Sequence, residues 1–194
     1  EVPSLVGEIK WEEESERADP VCIAFAGGKG GAGRSLLAAN VGLFLSRLGR
    51  EVVAVDLDPG GHNLHTYLGL QPLLPNPGAQ LRSPGKPVIT HVPGTSLRLV
   101  RSALPMLGGE TDMRQVALNE AMGLDADVVL LDLGTQSDAL TLDTFLNAHA
   151  AVIVAVPEPA SVERAYGFLR MALYRRLLHG DDEPAVVARA LLSA

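Results

Sequence analysis

A run of glycines between two apolar segments is the feature that most constrains how this chain can fold. The segment reads Gly28-Lys29-Gly30-Gly31-Ala32-Gly33-Arg34-Ser35. It follows an apolar run at residues 21–26 that is typical of a buried strand, and it opens a helical pattern over residues 35–48. Glycines let a backbone curl so that several N–H groups point inward, and the helix N-terminus adds partial positive charge. The order of strand, glycine loop and helix therefore predicts a phosphate-binding loop, with the Ser35 hydroxyl placed as a Mg²⁺ ligand.

The rest of the chain alternates apolar runs with helical patterns. The predicted strands cover residues 21–26, 52–55, 97–100, 128–131 and 151–156, and the predicted helices cover residues 35–48, 111–122, 139–146 and 161–178. Strands that are apolar on both sides and alternate with helices indicate a mostly parallel sheet with helices on both faces. The predicted fold class is therefore α/β, and Ser161 is the predicted N-cap of the last helix. Residues 71–94, which hold six prolines, are predicted to form a long loop or an excursion from the core.

Two of the predicted helices carry apolar stripes. In the first, the stripe consists of Leu37, Val41, Phe44, Leu45 and Leu48, and this spacing predicts the face that meets the core. In the last, Val162, Tyr166, Leu169, Leu173 and Leu177 form a stripe that we assign to core or dimer packing, while Arg164, Arg170, Arg175 and Arg176 lie mostly beside it. For these arginines a solvated face is favoured over contact with an acidic partner or with lipid headgroups.

Charge is distributed unevenly along the sequence. The whole chain has a net charge of −7, and residues 1–20 hold seven acids and two bases. An acidic run without apolar periodicity is typical of a solvated segment, so residues 1–20 are predicted to form a flexible amino-terminal arm, with contact of Trp11 to a partner as the alternative. Residues 21–194 are predicted to form the nucleotide-binding domain. The acidic excess argues against nucleic acid as a partner.

Cysteine content and hydropathy exclude further classes of protein. A single cysteine, Cys22, rules out an internal disulfide framework and a cysteine-rich zinc site. The longest uninterrupted apolar stretch, residues 150–156, is too short to span a bilayer. Because no targeting pattern is present, we expect a cytoplasmic protein. The chain begins with Glu1, so we also expect it to have been processed or excised from a longer one.

Four segments in order resemble the motifs of one family. The segment Lys29-Gly30-Gly31-Ala32-Gly33-Arg34-Ser35 resembles the deviant Walker A loop, KGGxGK[ST], of the MinD/ParA family of P-loop ATPases. The segment Asp56-Leu57-Asp58-Pro59-Gly60-Gly61-His62-Asn63-Leu64 is similar to the family's switch I, and Asp132-Leu133-Gly134 to its Walker B and switch II position. Residues 156–166 are similar to the PEPxSxxxAY stretch of the MinD and FlhG branch. The resemblance extends over about residues 20–180.

The resemblance implies roles for individual residues. The loop residues that would surround the phosphates of ATP are Gly28, Lys29, Gly30, Gly31, Ala32, Gly33, Arg34, Ser35 and Leu36. Lys29 would reach the partner subunit's nucleotide in an ATP-dependent homodimer, and Asp58 would orient the attacking water, which makes these two the candidate catalytic residues. The metal site for Mg²⁺ would use Ser35, Asp56 and Asp132. An alternative for each acid at a strand end is that it caps the next helix.

The family resemblance implies a function, and this sequence departs from the family pattern in two places. A MinD/ParA-like switch ATPase acts as a spatial or positioning regulator through nucleotide-dependent dimerisation, with a protein partner that the sequence does not identify. Arg34 stands where the family has lysine, and arginine is not interchangeable with a compact ammonium. We therefore expect a slow ATP hydrolase, with a non-hydrolysing nucleotide sensor or scaffold as the alternative. The sequence also stops before the family's later strand and its membrane-contacting carboxy-terminal helix, so it predicts a domain truncated at that end and offers no support for membrane contact.

Overall fold

The structure, a computed structural model, describes residues 19–58, 63–72, 86–101 and 112–179. Six strands are present in this part of the chain: β1 Val21–Ala26, β2 Val52–Asp56, β3 Val88–His91, β4 Leu97–Arg101, β5 Val128–Asp132 and β6 Ala150–Ile153. The helices are α1 Arg34–Arg47, α2 Leu64–Tyr67, α3 Met113–Met122, α4 Ala139–Asn147 and α5 Pro159–His179. The α/β class predicted from the sequence is confirmed.

All six strands belong to one sheet in the order β3-β4-β2-β5-β1-β6. Every neighbouring pair is parallel except β3 and β4, which are antiparallel. In the register of the parallel strands, Asp56 stands opposite Asp132 on one side and Arg101 on the other. The carboxyl ends of β2, β4 and β5 therefore bring three charged residues to the sheet edge where the glycine loop begins.

Two apolar clusters cover the two faces of the sheet. Helices α3, α4 and α5 pack on one face through residues such as Ala117, Phe145 and Phe168, and α1 and α2 pack on the other. The approach of α1 is close because Gly42 faces the side chains of Leu97 and Leu130, which would lie within 3.4 Å of an added Cβ. The sheet is thereby covered on both faces, and the loops lie at the edge formed by the carboxyl ends of its parallel strands.

Several local predictions differ from the structure. Helix α5 begins at Pro159, a residue suited to a first helical position, so Ser161 is not its N-cap. The Ser161 hydroxyl instead accepts a hydrogen bond from the Val156 N–H at 3.1 Å. The prediction of a long loop over residues 71–94 was wrong for residues 88–91, which form the edge strand β3 beside β4. Residues 73–85 lie outside the described part. The last predicted strand ends at Ile153 rather than Val156.

The apolar stripes also lie differently from the prediction. Helix α1 buries small residues, Ala38, Ala39 and Gly42. Of the predicted stripe, Val41 and Leu45 are partly buried against the core, while Phe44 and Leu48 are each 62% exposed. Helix α5 buries Ala165, Phe168 and Ala172, and the stripe from Val162 to Leu173 faces outward. The prediction that this stripe packs in the core was therefore wrong, and its packing in a dimer remains a prediction.

The boundaries of the predicted domains fall largely in segments that are not described. Residues 1–18 of the amino-terminal arm and residues 180–194 lie outside the described part of the chain. Within the part that is described, no helix has the length and apolar character needed to cross a membrane.

Candidate functional site

The glycine loop joins β1 to α1 and leaves the first turn of the helix open. Gly31 and Gly33 adopt φ angles of 80° and 91°, a left-handed conformation that glycine reaches without the Cβ penalty. Gly33 stands at the N-cap position and supplies no side chain, and the first helical bond runs from the Leu37 N–H to the Gly33 carbonyl at 2.9 Å. The preceding N–H groups of α1 have no intrahelical acceptor, as at any helix start, and are placed to bind an anion.

A cleft lies against this loop. Its volume is about 300 Å³, and it is lined by residues 29–35 of the loop together with Asp58, Asn63, Tyr67 and Thr135. Among the described residues, and apart from each glycine's own chain neighbours, no heavy atom would lie within 4 Å of a Cβ added at Gly30, Gly31 or Gly33. The backbone of the loop is therefore open to a ligand, which is the arrangement that phosphate binding requires.

Arg34 does not point along the loop but towards the carboxyl ends of the strands. Its side chain is 7% exposed, and its Nε donates to Oδ1 of Asp132, which is 1% exposed. Its Nη2 donates to Oδ2 of Asp58 at 2.7 Å. One guanidinium thus links the carboxylate that ends β5 to the carboxylate that follows β2. The residue that replaces the family's lysine acts here as the counter-ion of two acids.

Burial and charge oppose each other in this cluster. Burial raises the pKa of Asp132 above its ordinary value, and the Arg34 guanidinium and Ser35 hydroxyl offset that rise only in part. Burial alone would lower the pKa of Arg34, but Asp132 and Asp58 together outweigh it and leave the pKa above its usual range. The Arg34 guanidinium and the Asp132 carboxylate therefore compensate each other's burial, and removing either partner would leave a buried charge uncompensated.

Asp56 holds the chain that follows β2 rather than facing the cleft directly. It is fully buried, and its two oxygens accept hydrogen bonds from the N–H groups of Asp58 and Leu64, each at 3.2 Å. On the other side it faces Arg101, whose pKa is lowered by burial and partly restored by Asp56. Arg101 also donates to the Gln71 carbonyl and to the Thr90 hydroxyl, each at 3.0 Å. Asp56 and Arg101 thereby fix the start of α2 and the edge strand.

A cation suits the end of this site that holds the carboxylates. Three carboxylates at the ends of β2 and β5 share two buried guanidinium groups, and Oδ2 of Asp132 is buried with no hydrogen-bond partner among the described residues. Mg²⁺ in nucleotide sites is held by one or two protein oxygens together with phosphates. Ser35 and Asp132 fit such a role, and across the described ranges no three His, Cys, Asp or Glu side chains are grouped to hold a metal by themselves.

The start of α5 packs directly on the glycine loop. The Lys29 ammonium donates to Oε2 of Glu158, which lies just before α5, and both side chains are more than a third exposed. A Cβ on Gly28 would overlap the backbone of Arg164 and Ala165. The loop is therefore tied to α5 by an ion pair and by backbone contact.

We expect Gly28→Ala to lower the free energy of unfolding by about 3 kcal/mol, because backbone atoms cannot move aside as a flexible side chain does. Gly30→Ala is the matched control, since no described residue other than its chain neighbours lies within 4 Å of its Cβ position and its φ is not left-handed. Urea denaturation of the two variants measures the difference. Equal midpoints for both variants would contradict the close packing of the loop against α5.

The structure brings most of the predicted site residues together. Arg34, Ser35, Asp58 and Asp132 meet at one end of the cleft, while Asp56 lies behind them and Lys29 lies beside Glu158. Sequence reasoning missed Arg101 and the cleft residues Tyr67 and Thr135. For Arg101 the available signal was a charged residue at the end of an apolar strand. For the other two no signal was present in the sequence.

The fold and the site define a P-loop nucleotide-binding protein: a buried strand runs through an open glycine loop into a helix, with carboxylates ending neighbouring parallel strands. Residues 23–179 match the family described as "CobQ/CobB/MinD/ParA nucleotide binding domain", and the chain belongs to that family. The MinD/ParA resemblance drawn from the sequence motifs is confirmed.

Known relatives share part of their length with this chain. The chromosome-partitioning ATPase Soj of Thermus thermophilus is 31% identical over 153 residues, 76% of this chain and 59% of Soj. An iron-sulfur cluster carrier protein of Bacillus subtilis is 32% identical over 154 residues, 73% of this chain and 41% of the carrier. The antiactivator FleN of Pseudomonas aeruginosa is 30% identical over 161 residues, 77% of this chain and 55% of FleN. The matched region thus amounts to roughly half of these relatives' own length.

Solved structures agree on the fold. The septum site-determining protein MinD of Pyrococcus horikoshii, complexed with Mg-ADP, superposes with a TM-score of 0.59 at 21% identity, over 89% of this chain and 77% of that one. At this identity the likeness concerns the fold alone.

Proposed function

We propose that this chain is the nucleotide-binding part of a MinD/ParA-type switch ATPase that acts as a positioning regulator. The observation that carries the proposal is the open loop before α1, placed beside a buried cluster of Arg34, Asp58 and Asp132. Family membership and the relatives Soj and FleN, named for chromosome partitioning and antiactivation, support a regulatory role. The ligand of the proposal is ATP with Mg²⁺.

The loop residues would hold the phosphates mainly through backbone N–H groups. The open first turn of α1 supplies donors and partial positive charge without moving any side chain. Ser35 and Asp132 would hold Mg²⁺, which when bound neutralises charge on the phosphates. Arg34 would stay with its carboxylates, because taking it from Asp132 leaves a buried charge without a partner.

Arg34 also explains why hydrolysis would be slow. In the proposed role, Asp58 orients the attacking water, yet its Oδ2 accepts a hydrogen bond from the Arg34 guanidinium at 2.7 Å. A carboxylate that is shared with a cation is a weaker acceptor for a water proton. Since phosphoryl transfer depends on positioning, this loss reduces the rate more than it reduces binding.

The same contact favours the alternative of a non-hydrolysing nucleotide sensor or scaffold. Cluster carriage, the role of one relative, is not favoured because iron-sulfur clusters are held by several cysteine thiolates. The sequence holds one cysteine, Cys22, which is buried in β1 and has a pKa raised by that burial.

Dimerisation tests the proposal most specifically. Lys29 pairs with Glu158 on an exposed part of the loop, so it is available to a partner subunit once that ion pair opens. We expect the protein to dimerise with a non-hydrolysable ATP analogue, and Lys29→Ala to keep nucleotide binding while remaining monomeric. Light scattering measures the mass, and Lys86→Ala, also an exposed lysine, is the control expected to dimerise normally. A wild-type chain that stays monomeric with nucleotide bound would contradict the dimer.

A further inference from the structure

The outward surface of α1 carries apolar side chains that no described element covers. This α1 outer face consists of Leu37, Asn40, Phe44, Arg47 and Leu48, all exposed, and Phe44 and Leu48 reach 62% exposure. The buried side of the helix, formed by Ala38, Ala39, Gly42 and Ser46, points the opposite way, into the sheet. Large apolar groups grouped on one outward face of a helix mark a contact surface.

The charged residues on and beside this surface are all basic. Between residues 34 and 50 the sequence has no acid, and the exposed Arg47 and Arg50 stand at its carboxyl end. The stripe on α5 differs, because the exposed Glu163 lies beside its first residue, Val162, and Arg175 is already paired with Asp143. A ligand segment for the α1 outer face should therefore combine apolar residues with an acidic run.

The amino-terminal arm has that composition. Apolar residues recur in it at Val2, Leu5, Val6 and Ile9, a spacing that places them on one side of a helix, and they are followed by the acidic run 12–16. Residues 1–18 lie outside the described part of the chain, which begins at Asp19. The arm therefore offers both the apolar and the acidic element in the order in which they would meet α1.

The described chain begins beside the carboxyl end of α1, where Arg47 and Arg50 lie. The Val21 N–H donates to the Asp127 carbonyl at 3.0 Å, and the Asp127 N–H donates to the Glu51 carbonyl at 2.8 Å. Glu51 follows directly after Arg50, so the start of β1 and the end of α1 share one edge of the sheet. The α1 outer face from Leu37 to Leu48 extends about 16 Å at 1.5 Å per residue. The ten residues from Asp19 back to Ile9 can span at most about 33 Å, enough to reach it.

We propose that the amino-terminal arm docks on the α1 outer face of its own chain. The acidic run lies against Arg47 and Arg50, and the apolar residues that precede it cover Phe44 and Leu37. This proposal is independent of nucleotide binding.

The single tryptophan of the chain, Trp11, reports on docking without any label. In the full chain we expect a blue-shifted Trp11 emission that acrylamide quenches poorly. Arg47→Glu should reduce the ratio of docked to free arm about fivefold, the scale of one surface ion pair, and Phe44→Ala about tenfold. Both variants should therefore raise quenching. The controls are Arg170→Glu and Tyr166→Ala on α5, which are equally exposed and should change nothing.

Three results would overturn the proposal. Trp11 quenched in the wild-type chain as strongly as free indole would show that the arm does not dock. A response to the α5 variants in place of the α1 variants would move the contact to α5. A Trp11 signal that is lost on dilution would assign the docking to a second copy of the chain.

Discussion

Arg34→Ala is expected to lower the free energy of unfolding by about 3 to 5 kcal/mol at neutral pH, the scale for breaking a buried ion pair. The reason is that Asp132, 1% exposed, would lose the guanidinium that now offsets the cost of burying its carboxylate. The Ser35 hydroxyl offsets the burial of this carboxylate only in part, and its Oδ2 has no hydrogen-bond partner among the described residues. Urea or guanidinium denaturation monitored by circular dichroism gives the difference.

Lys29→Ala is the matched control for this prediction. It removes an ion pair of the same loop, but Lys29 and Glu158 are 37% and 57% exposed. Exposed pairs contribute about 0 to 1 kcal/mol, so this variant should unfold close to the wild-type midpoint. If Arg34→Ala were no more destabilising than Lys29→Ala, the Arg34 cluster would not be the structural centre of the site.

The pH dependence of this difference has a definite sign. The pKa of Asp132 is raised by burial even with Arg34 beside it, so the folded chain binds a proton there more readily than the unfolded chain does. The charged Asp132 carboxylate therefore lowers the free energy of unfolding at neutral pH. This destabilisation disappears as the pH falls through the pKa that Asp132 has in the folded chain. Without Arg34 that pKa rises further. The difference in free energy of unfolding between wild type and Arg34→Ala should therefore become smaller as the pH is lowered from 7 towards about 4, the ordinary carboxyl range.

Arg34→Lys is expected to raise the single-turnover rate of ATP hydrolysis, by up to about a hundredfold if Asp58 regains its position. A lysine has one ammonium and cannot bridge Asp132 and Asp58 as the fork of arginine does. The carboxylate of Asp58 would then no longer be shared with the Arg34 guanidinium and would be a stronger acceptor for a water proton. Affinity for the nucleotide should stay within about tenfold, or 1.4 kcal/mol, because the backbone N–H groups of the loop are unchanged.

The competing view of Arg34 is that the loop has adapted to arginine, so that lysine leaves a gap and slows the reaction. Rates measured with enzyme in excess over ATP separate the two views. A rate for Arg34→Lys equal to or below that of the wild type would refute the idea that Arg34 restrains catalysis. Hydrolysis by neither protein would favour the non-hydrolysing alternative.

The sequence predicted the site's elements better than their contacts. The glycine loop and the acids at strand ends follow local rules, because parallel strands bring their carboxyl ends to one sheet edge. The direction of the Arg34 side chain does not follow such rules. It depends on which carboxylates lie within reach after β1, β2 and β5 have aligned, and that is known only from the register. For the same reason Arg101 was not recognised as the neighbour of Asp56.

The prediction of which helix faces are buried was partly wrong for a related reason. Apolar spacing in α1 predicted a core side of Leu37, Val41, Phe44, Leu45 and Leu48. Val41 and Leu45 do pack against the core, but the close approach at Gly42 admits only small residues at the centre of the contact. Alanines and a glycine carry little hydrophobic signal, so the buried face of a closely packed helix is weak in the sequence. The same holds for α5, where two of the three buried apolar residues are alanines.

Equilibrium binding of nucleotide to this chain decides whether the glycine loop is a phosphate-binding site. We expect Mg²⁺ with ADP or ATP to stabilise the fold by about 2.7 kcal/mol at a concentration one hundred times the dissociation constant. Thermal unfolding with increasing nucleotide, together with titration calorimetry, measures both quantities on the same protein. If the loop binds phosphates, the unfolding midpoint rises with nucleotide concentration and the heat of binding saturates. An unchanged midpoint and no heat at millimolar nucleotide would contradict it.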